Sequence, residues 1–221
     1  MQPHRPSLPE TFRLAGLQLD TRVTVSLILA TLLLLLDAYH RFLPGASFDD
    51  LLLAKAAERA VYYLAIPLLL VGLIFRDRLA EYGFSLGDWR TGLKWTAIFA
   101  VVGAPFLILV ARTPAMTEYY ERFPADVQRL IPTAALDLIG WEFFFRGFLL
   151  FGLMRLMGPT AVVAQAVPFA LAHLGKPEAE TLSTIFGGTL FGWLAWRSRS
   201  FLYPFLLHWF VYSLVVVAAQ A

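Results

Sequence analysis

The chain has 221 residues, of which 58% are hydrophobic and only 15% charged. A soluble domain is nearer half apolar and a quarter charged, so this excess excludes an ordinary soluble fold and predicts a polytopic membrane protein. The net charge is +2, with basic residues scattered near helix ends, which excludes a nucleic-acid face; the absence of cysteine excludes disulfides, zinc–thiolate sites and thiol nucleophiles.

A span needs about 20 mostly apolar residues, which allows roughly six to eight helices in one all-α bundle. Residues 1–20 are polar, with prolines and arginines, and Phe12 to Leu19 is weakly amphipathic, a pattern expected to lie along the interface. No small-residue cleavage site precedes the first apolar run, which therefore reads as a retained helix, about Val23 to Tyr39. Pro44-Gly45 and Asp49-Asp50 mark a loop. The run Leu51 to Phe75 carries Lys55, Glu58 and Arg59 in its first half, so its span is placed from Ala60. Arg76 to Arg90 is a polar loop, and the third span follows at about Thr91 to Ala111. Thr113 to Arg129 is charged and aromatic, a loop or a surface-lying helix. The remaining spans fall at about Leu130 to Met154, Thr160 to Leu174, Thr181 to Trp196 and Phe201 to Ala219. Gly158-Pro159 and Gly175-Lys176-Pro177 turn the chain between them. Gly187-Gly188 and Gly192 form a small-residue face suited to close helix packing.

The expected architecture is thus seven spans in a single transmembrane domain over residues 21–221. Loop charge places ten basic residues on one side and seven on the other, favouring a cytoplasmic N-terminus.

Four polar residues interrupt the apolar runs: Glu142, Arg146, His173 and His208. Ionisable groups in hydrocarbon are costly and usually face the bundle interior. Glu142 and Arg146 are four apart and share a helix face. They read either as a self-neutralising ion pair or as a general base with its tuning cation. His173 sits at the end of a span, where an interfacial or hydrogen-bonded role competes with a role in a site. His208 is the only strongly polar group near the middle of the last span. Asp137 reads as an interface residue or as support for Glu142. Glu180 either caps the sixth span or reaches back to His173, and Tyr212 lies one turn from His208, where it could donate into a cavity. There is no His-Glu-x-x-His zinc helix, no Gly-x-Ser-x-Gly elbow and no pair of intramembrane aspartates.

The order Glu142-Phe-Phe-Phe-Arg146-Gly147, then Phe169-x-x-x-His173, then His208 in the last span, resembles the CPBP family, which holds the type II CAAX-prenyl endopeptidases and the bacterial Abi or bacteriocin-processing proteins. The resemblance covers about residues 130–215, with a weaker echo in Glu81-Tyr82-Gly83-Phe84. The family pattern is Glu-Glu-x-x-x-Arg, Phe-x-x-x-His and His-x-x-x-Asn; here Trp141 stands in place of the first glutamate and Tyr212 in place of the asparagine. The resemblance implies an intramembrane glutamate-dependent protease that needs no cofactor or metal. Its partners would be membrane lipid and a peptide or membrane-protein substrate, and its location the bacterial inner membrane. Carried over by position, Glu142, Arg146, His173 and His208 match the motif residues. Glu142 and His173 are expected to activate water and His208, with Tyr212, to stabilise the oxyanion, with Arg146 and Glu180 in support. The alternative is an inactive scaffold or bacteriocin-immunity protein on the same core.

Overall fold

The computed structural model describes residues 9–124 and 126–221. Residues 1–8, part of the polar N-terminal segment, lie outside the described residues. The segment expected to lie flat at the interface is instead an antiparallel hairpin, β1 (Thr11–Leu14) and β2 (Leu17–Asp20), with Thr11 opposite Asp20 and Leu14 opposite Leu17. Its two-residue turn has both Ala15 and Gly16 at positive φ, the turn whose twist matches that of paired strands. Asp20 then ends the hairpin and starts the bundle: its side chain accepts from the Val23 N–H and caps α1 (Thr21–Tyr39).

Ser47 and Asp50 form a reciprocal capping box at the start of α2 (Phe48–Phe75), which is continuous through both halves of the run and contains two π-helical stretches. The helix therefore begins a dozen residues before the expected span. After a short 3₁₀ turn at Leu79–Tyr82 come α3 (Trp89–Ala111) and a seven-residue helix, α4 (Pro114–Tyr120). The fourth and fifth spans are α5 (127–157) and α6 (161–171), divided only by a 3₁₀ turn at Gly158–Thr160. They are followed by α7 (Glu178–Ser198) and α8 (Leu202–Ala219).

Seven of these helices correspond to the expected spans. Among the described residues, five stretches are long and apolar enough to cross a membrane on their own terms: α1, α2, α3, the joined run Val127–Leu171, and α8. Helix α7 is not among them; it carries Glu178, Glu180 and Arg197 beside Thr181, Ser183, Thr184 and Thr189. The chain is an all-α integral membrane bundle apart from its N-terminal hairpin.

Lipid offers no hydrophobic drive for helices to associate, so the bundle is held by close packing and internal polar bonds. The centre of the packing is α5. Every residue from Gly140 to Leu153 is buried, and Phe143, Phe144, Phe145 and Phe148 are wholly so. Helices α2, α7 and α8 pack around it, and α8 lies along α3. Helix α3 instead presents Val101, Val102, Phe106 and Leu109 outward. The Tyr82-Gly83-Phe84 echo has a packing role here. Gly147 lets the backbone of Tyr82 approach, since a Cβ there would meet the Tyr82 carbonyl at 2.9 Å, and Phe84 stands edge-on to Phe143 at 5.6 Å.

Candidate active site

Glu142 is the last residue of an ordinary α-helical stretch. Over Phe143–Leu149, α5 widens into π-helical turns, a distortion that recurs at functional sites. Glu142 directly precedes this widening and Arg146 lies within it, and both are 0% exposed. Arg146 donates from Nη1 to Glu142 Oε1 at 2.9 Å, as their spacing predicts. The same oxygen accepts a second bond, from His208 Nδ1 on α8 at 2.6 Å. Glu142 Oε2 is buried and has no hydrogen-bond partner among the described residues, and neither has Arg146 Nε.

Phe169 on α6 ties the remaining parts together. The Arg146 guanidinium stands 3.8 Å above its ring, the His173 ring centre lies 4.5 Å away and that of His208 6.0 Å. A cation over an aromatic face in a dry site contributes about 2 kcal/mol, so Phe169 offsets part of the cost of burying Arg146. His173 lies two residues beyond the end of the joined span and is 4% exposed. Its Nδ1–H donates to the Phe169 carbonyl at 2.8 Å, which fixes the tautomer and leaves Nε2 with a lone pair. Burial, with Lys176 nearby, holds its imidazole well below the usual histidine range, so the ring is neutral at physiological pH.

One residue that sequence reasoning did not single out completes the back wall. Gln165, wholly buried, donates from Nε2 to both Val162 O and Gly188 O at 2.8 Å. Gly188 O also faces Arg146 Nη2 at 3.5 Å. A Cβ at Gly188 would come within 2.8 Å of the Phe169 ring, and one at Gly192 would meet the Gln165 side chain. Gly187, grouped with them in the small-residue face, meets nothing. The signal for Gln165 was present in the sequence: a lone amide within the apolar run of α6.

The supporting residues are placed differently from one another. Glu180 does not reach His173. Its Oε1 accepts from Lys176 Nζ at 2.6 Å and its Oε2 from the Tyr120 hydroxyl at 2.7 Å, in the first turn of α7. The tie to His173 comes from Thr181, whose hydroxyl donates to the His173 carbonyl at 2.9 Å. Tyr212 lines a cavity of about 290 Å³ that also reaches Asp137 and Lys176, and it packs edge-on to Phe123. Asp137 pairs with Arg59 at 3.1 Å and has no bond to Glu142. Trp141 is buried beside His173, ring centres 5.8 Å apart, with the Arg59 guanidinium 4.5 Å over its face. An indole therefore fills the space next to the imidazole where the motif pattern has a second carboxylate. Among the described residues, no three His, Asp or Glu side chains gather as a metal site requires.

The motif order in α5, α6 and α8 is matched by an independent comparison. Residues 123–214 match the family model described as Rce1-like, type II CAAX prenyl endopeptidase Rce1-like. This segment is similar to that family. It runs from the end of the α4–α5 connection to the last turns of α8 and contains Glu142, Arg146, His173 and His208, which bears out the resemblance drawn from the motifs. No curated protein and no solved structure matches the chain.

Proposed function

We propose that the chain is an intramembrane endopeptidase that hydrolyses a peptide bond with a glutamate–histidine base. The observation that carries this reading is the 2.6 Å hydrogen bond between His208 Nδ1 and Glu142 Oε1 at a wholly buried carboxylate. A carboxylate holding one ring nitrogen of a histidine leaves the other nitrogen with a lone pair and stabilises the imidazolium formed when that nitrogen takes a proton. In this reading His208 Nε2 takes a proton from the attacking water. Glu142 stabilises the resulting cation through Oε1. The proton then passes to the departing amine. His173, neutral and with Nε2 open, supplies a second acceptor, and Tyr212 donates to the developing oxyanion. Arg146 holds Glu142 in place. The sequence motifs favoured Glu142 and His173 as the water-activating pair; the geometry favours Glu142 with His208. The Rce1-like match makes a prenylated peptide ending in a free carboxylate the first substrate to test, in a bacterial inner membrane.

Trp141 favours a second reading. With an indole against His173 in place of a carboxylate, the same core would serve as an inactive scaffold or immunity protein.

The test compares cleavage of a farnesylated carboxyl-terminal peptide, and of the same peptide without the lipid, by the wild type and Glu142→Ala in nanodiscs. General-base loss is expected to slow cleavage by about 10²–10⁴-fold. Equal rates would sink the mechanism, and no cleavage by either protein would favour the scaffold.

A further inference from the structure

The cavity beside Tyr212 carries an unbalanced charge that the reaction does not use. Five cations line it, Arg41, Lys55, Arg59, Arg122 and Lys176, against one carboxylate, Asp137. Two of the five are matched. Arg59 binds Asp37 and Asp137 at 3.0 and 3.1 Å, and Lys176 binds Glu180 at 2.6 Å. Arg41, Lys55 and Arg122 have no carboxylate within ion-pair distance among the described residues. Arg122 is held instead by aromatic faces, 4.4 Å over Tyr119 and 5.9 Å from both Phe48 and Phe123. Three like charges around one cavity repel one another, and an anion among them would offset that repulsion.

The position of the cluster says what kind of anion. Arg41 follows the end of α1 by two residues, and Lys55 lies two turns into α2, so both stand where a span meets the headgroup layer. Leu52 and Leu130 form an apolar wall beside the cations. The site therefore offers charge at one end and hydrocarbon at the other. Three cations suit a dianionic phosphate better than a single carboxylate, and arginine forks match its oxygens.

We infer that this cavity binds the phosphate monoester group of a membrane amphiphile, held by Arg41, Lys55 and Arg122. None of the three cations touches Glu142, His173 or His208; the cavity shares Tyr212 with the peptidase reading, and anion binding is measured without cleavage, so either can fail alone.

The test is binding to the purified full chain in a neutral detergent, followed by calorimetry. The probes are dihexanoyl phosphatidic acid, inorganic phosphate and, as the zwitterionic control, dihexanoyl phosphatidylcholine. Phosphatidic acid is expected to bind saturably and phosphatidylcholine not at all. R41Q/K55Q/R122Q is expected to weaken phosphatidic acid by about 100-fold, taking about 1 kcal/mol for each cation. R41K/K55R/R122K is expected to keep it within about threefold of the wild type, three cations being retained. Inorganic phosphate binding as tightly as the lipid would support the anion site and name the free ion as its source; binding at least tenfold weaker would assign the site to the lipid. Failure of both anions to bind, or undiminished binding by the glutamine variant, would overturn the inference. Should the triple glutamine variant not fold, R41Q/R122Q, at two exposed positions, makes the same test with a loss of about 30-fold.

Discussion

Two arginines buried in this bundle meet their carboxylates in opposite ways. Arg59 uses its whole fork: Nε and Nη2 bind Asp37 on α1, Nη1 binds both oxygens of Asp137 on α5, and its face rests on Trp141. One cation is shared by two carboxylates, and three helices are locked together. Arg146 donates one short bond, to an oxygen it shares with His208, and leaves its own Nε and Glu142 Oε2 without partners. A structural pin in hydrocarbon is expected to be saturated, because each unmade bond there costs free energy. The unsaturated cluster is the one that retains capacity to bind something else. The contrast separates two ion pairs, each made by an arginine that interrupts an apolar run.

The largest effect that would break this contrast comes from removing the cations. Arg146→Met strands Glu142 as a wholly buried charge and is expected to cost about 3–5 kcal/mol. Arg59→Met strands Asp137, whose side chain is 25% exposed, and Asp37, at 10%, so its cost belongs nearer the lower end of that range. The double variant E142L/R146M removes both charges and is expected to recover most of the stability while abolishing any cleavage. Thermal unfolding in detergent measures all three. A double variant no more stable than Arg146→Met would show that the pair itself, and not a stranded charge, holds the bundle.

A middle-sized effect lies behind Phe169, the ring on which Arg146 and both histidines rest. Gly188→Ala places a Cβ 2.8 Å from that ring, where overpacking is expected to cost about 1–3 kcal/mol and to disturb the cluster. Gly187→Ala, one residue away and facing open space, is expected to stay within about 0.5 kcal/mol of the wild type. The pair of unfolding midpoints checks it, and equal losses would mean that the glycines serve helix conformation and not the close approach of α6.

Local rules reach some of these features and not others. The spans were legible because 20-residue apolar runs separated by glycine, proline and charge admit little else. The Glu142–Arg146 pair was legible because four residues on a helix is one turn. The hairpin was readable but missed: Thr-Phe-Arg-Leu and Leu-Gln-Leu-Asp around Ala15-Gly16 alternate with the period of a strand, over a stretch too short to support a helix. What no local rule reaches is the choice of partners across the bundle. His208 meets Glu142 across 66 residues and Arg59 meets Asp137 across 78, and both depend on which helices pack side by side. Asp137 therefore read as an interface residue, and Glu180 as a candidate to reach His173, when each is committed to a cation elsewhere. The widening of α5 after Glu142 is equally hidden, since nothing in a run of phenylalanines announces a π turn.

The smallest effect sharpens the contrast by pH. His173 is buried and, unlike Glu142, pairs with no charged group among the described residues, and burial holds its imidazole well below the usual range. In the unfolded chain it takes up a proton near pH 6.5. Between that pH and its depressed native value the unfolded state binds one more proton than the native state. The native protein is then expected to lose about 1.4 kcal/mol for each unit of acidification below about pH 6.5, with nothing lost above it. His173→Gln keeps a donor for the Phe169 carbonyl but cannot titrate, so its stability should fall less steeply over the same window. Unfolding midpoints of the two proteins from pH 7.5 to 5 give the difference directly, other groups cancelling between them. Curves that stay parallel would mean that His173 is charged in the native protein, and a charged His173 could not accept a proton from water beside Glu142.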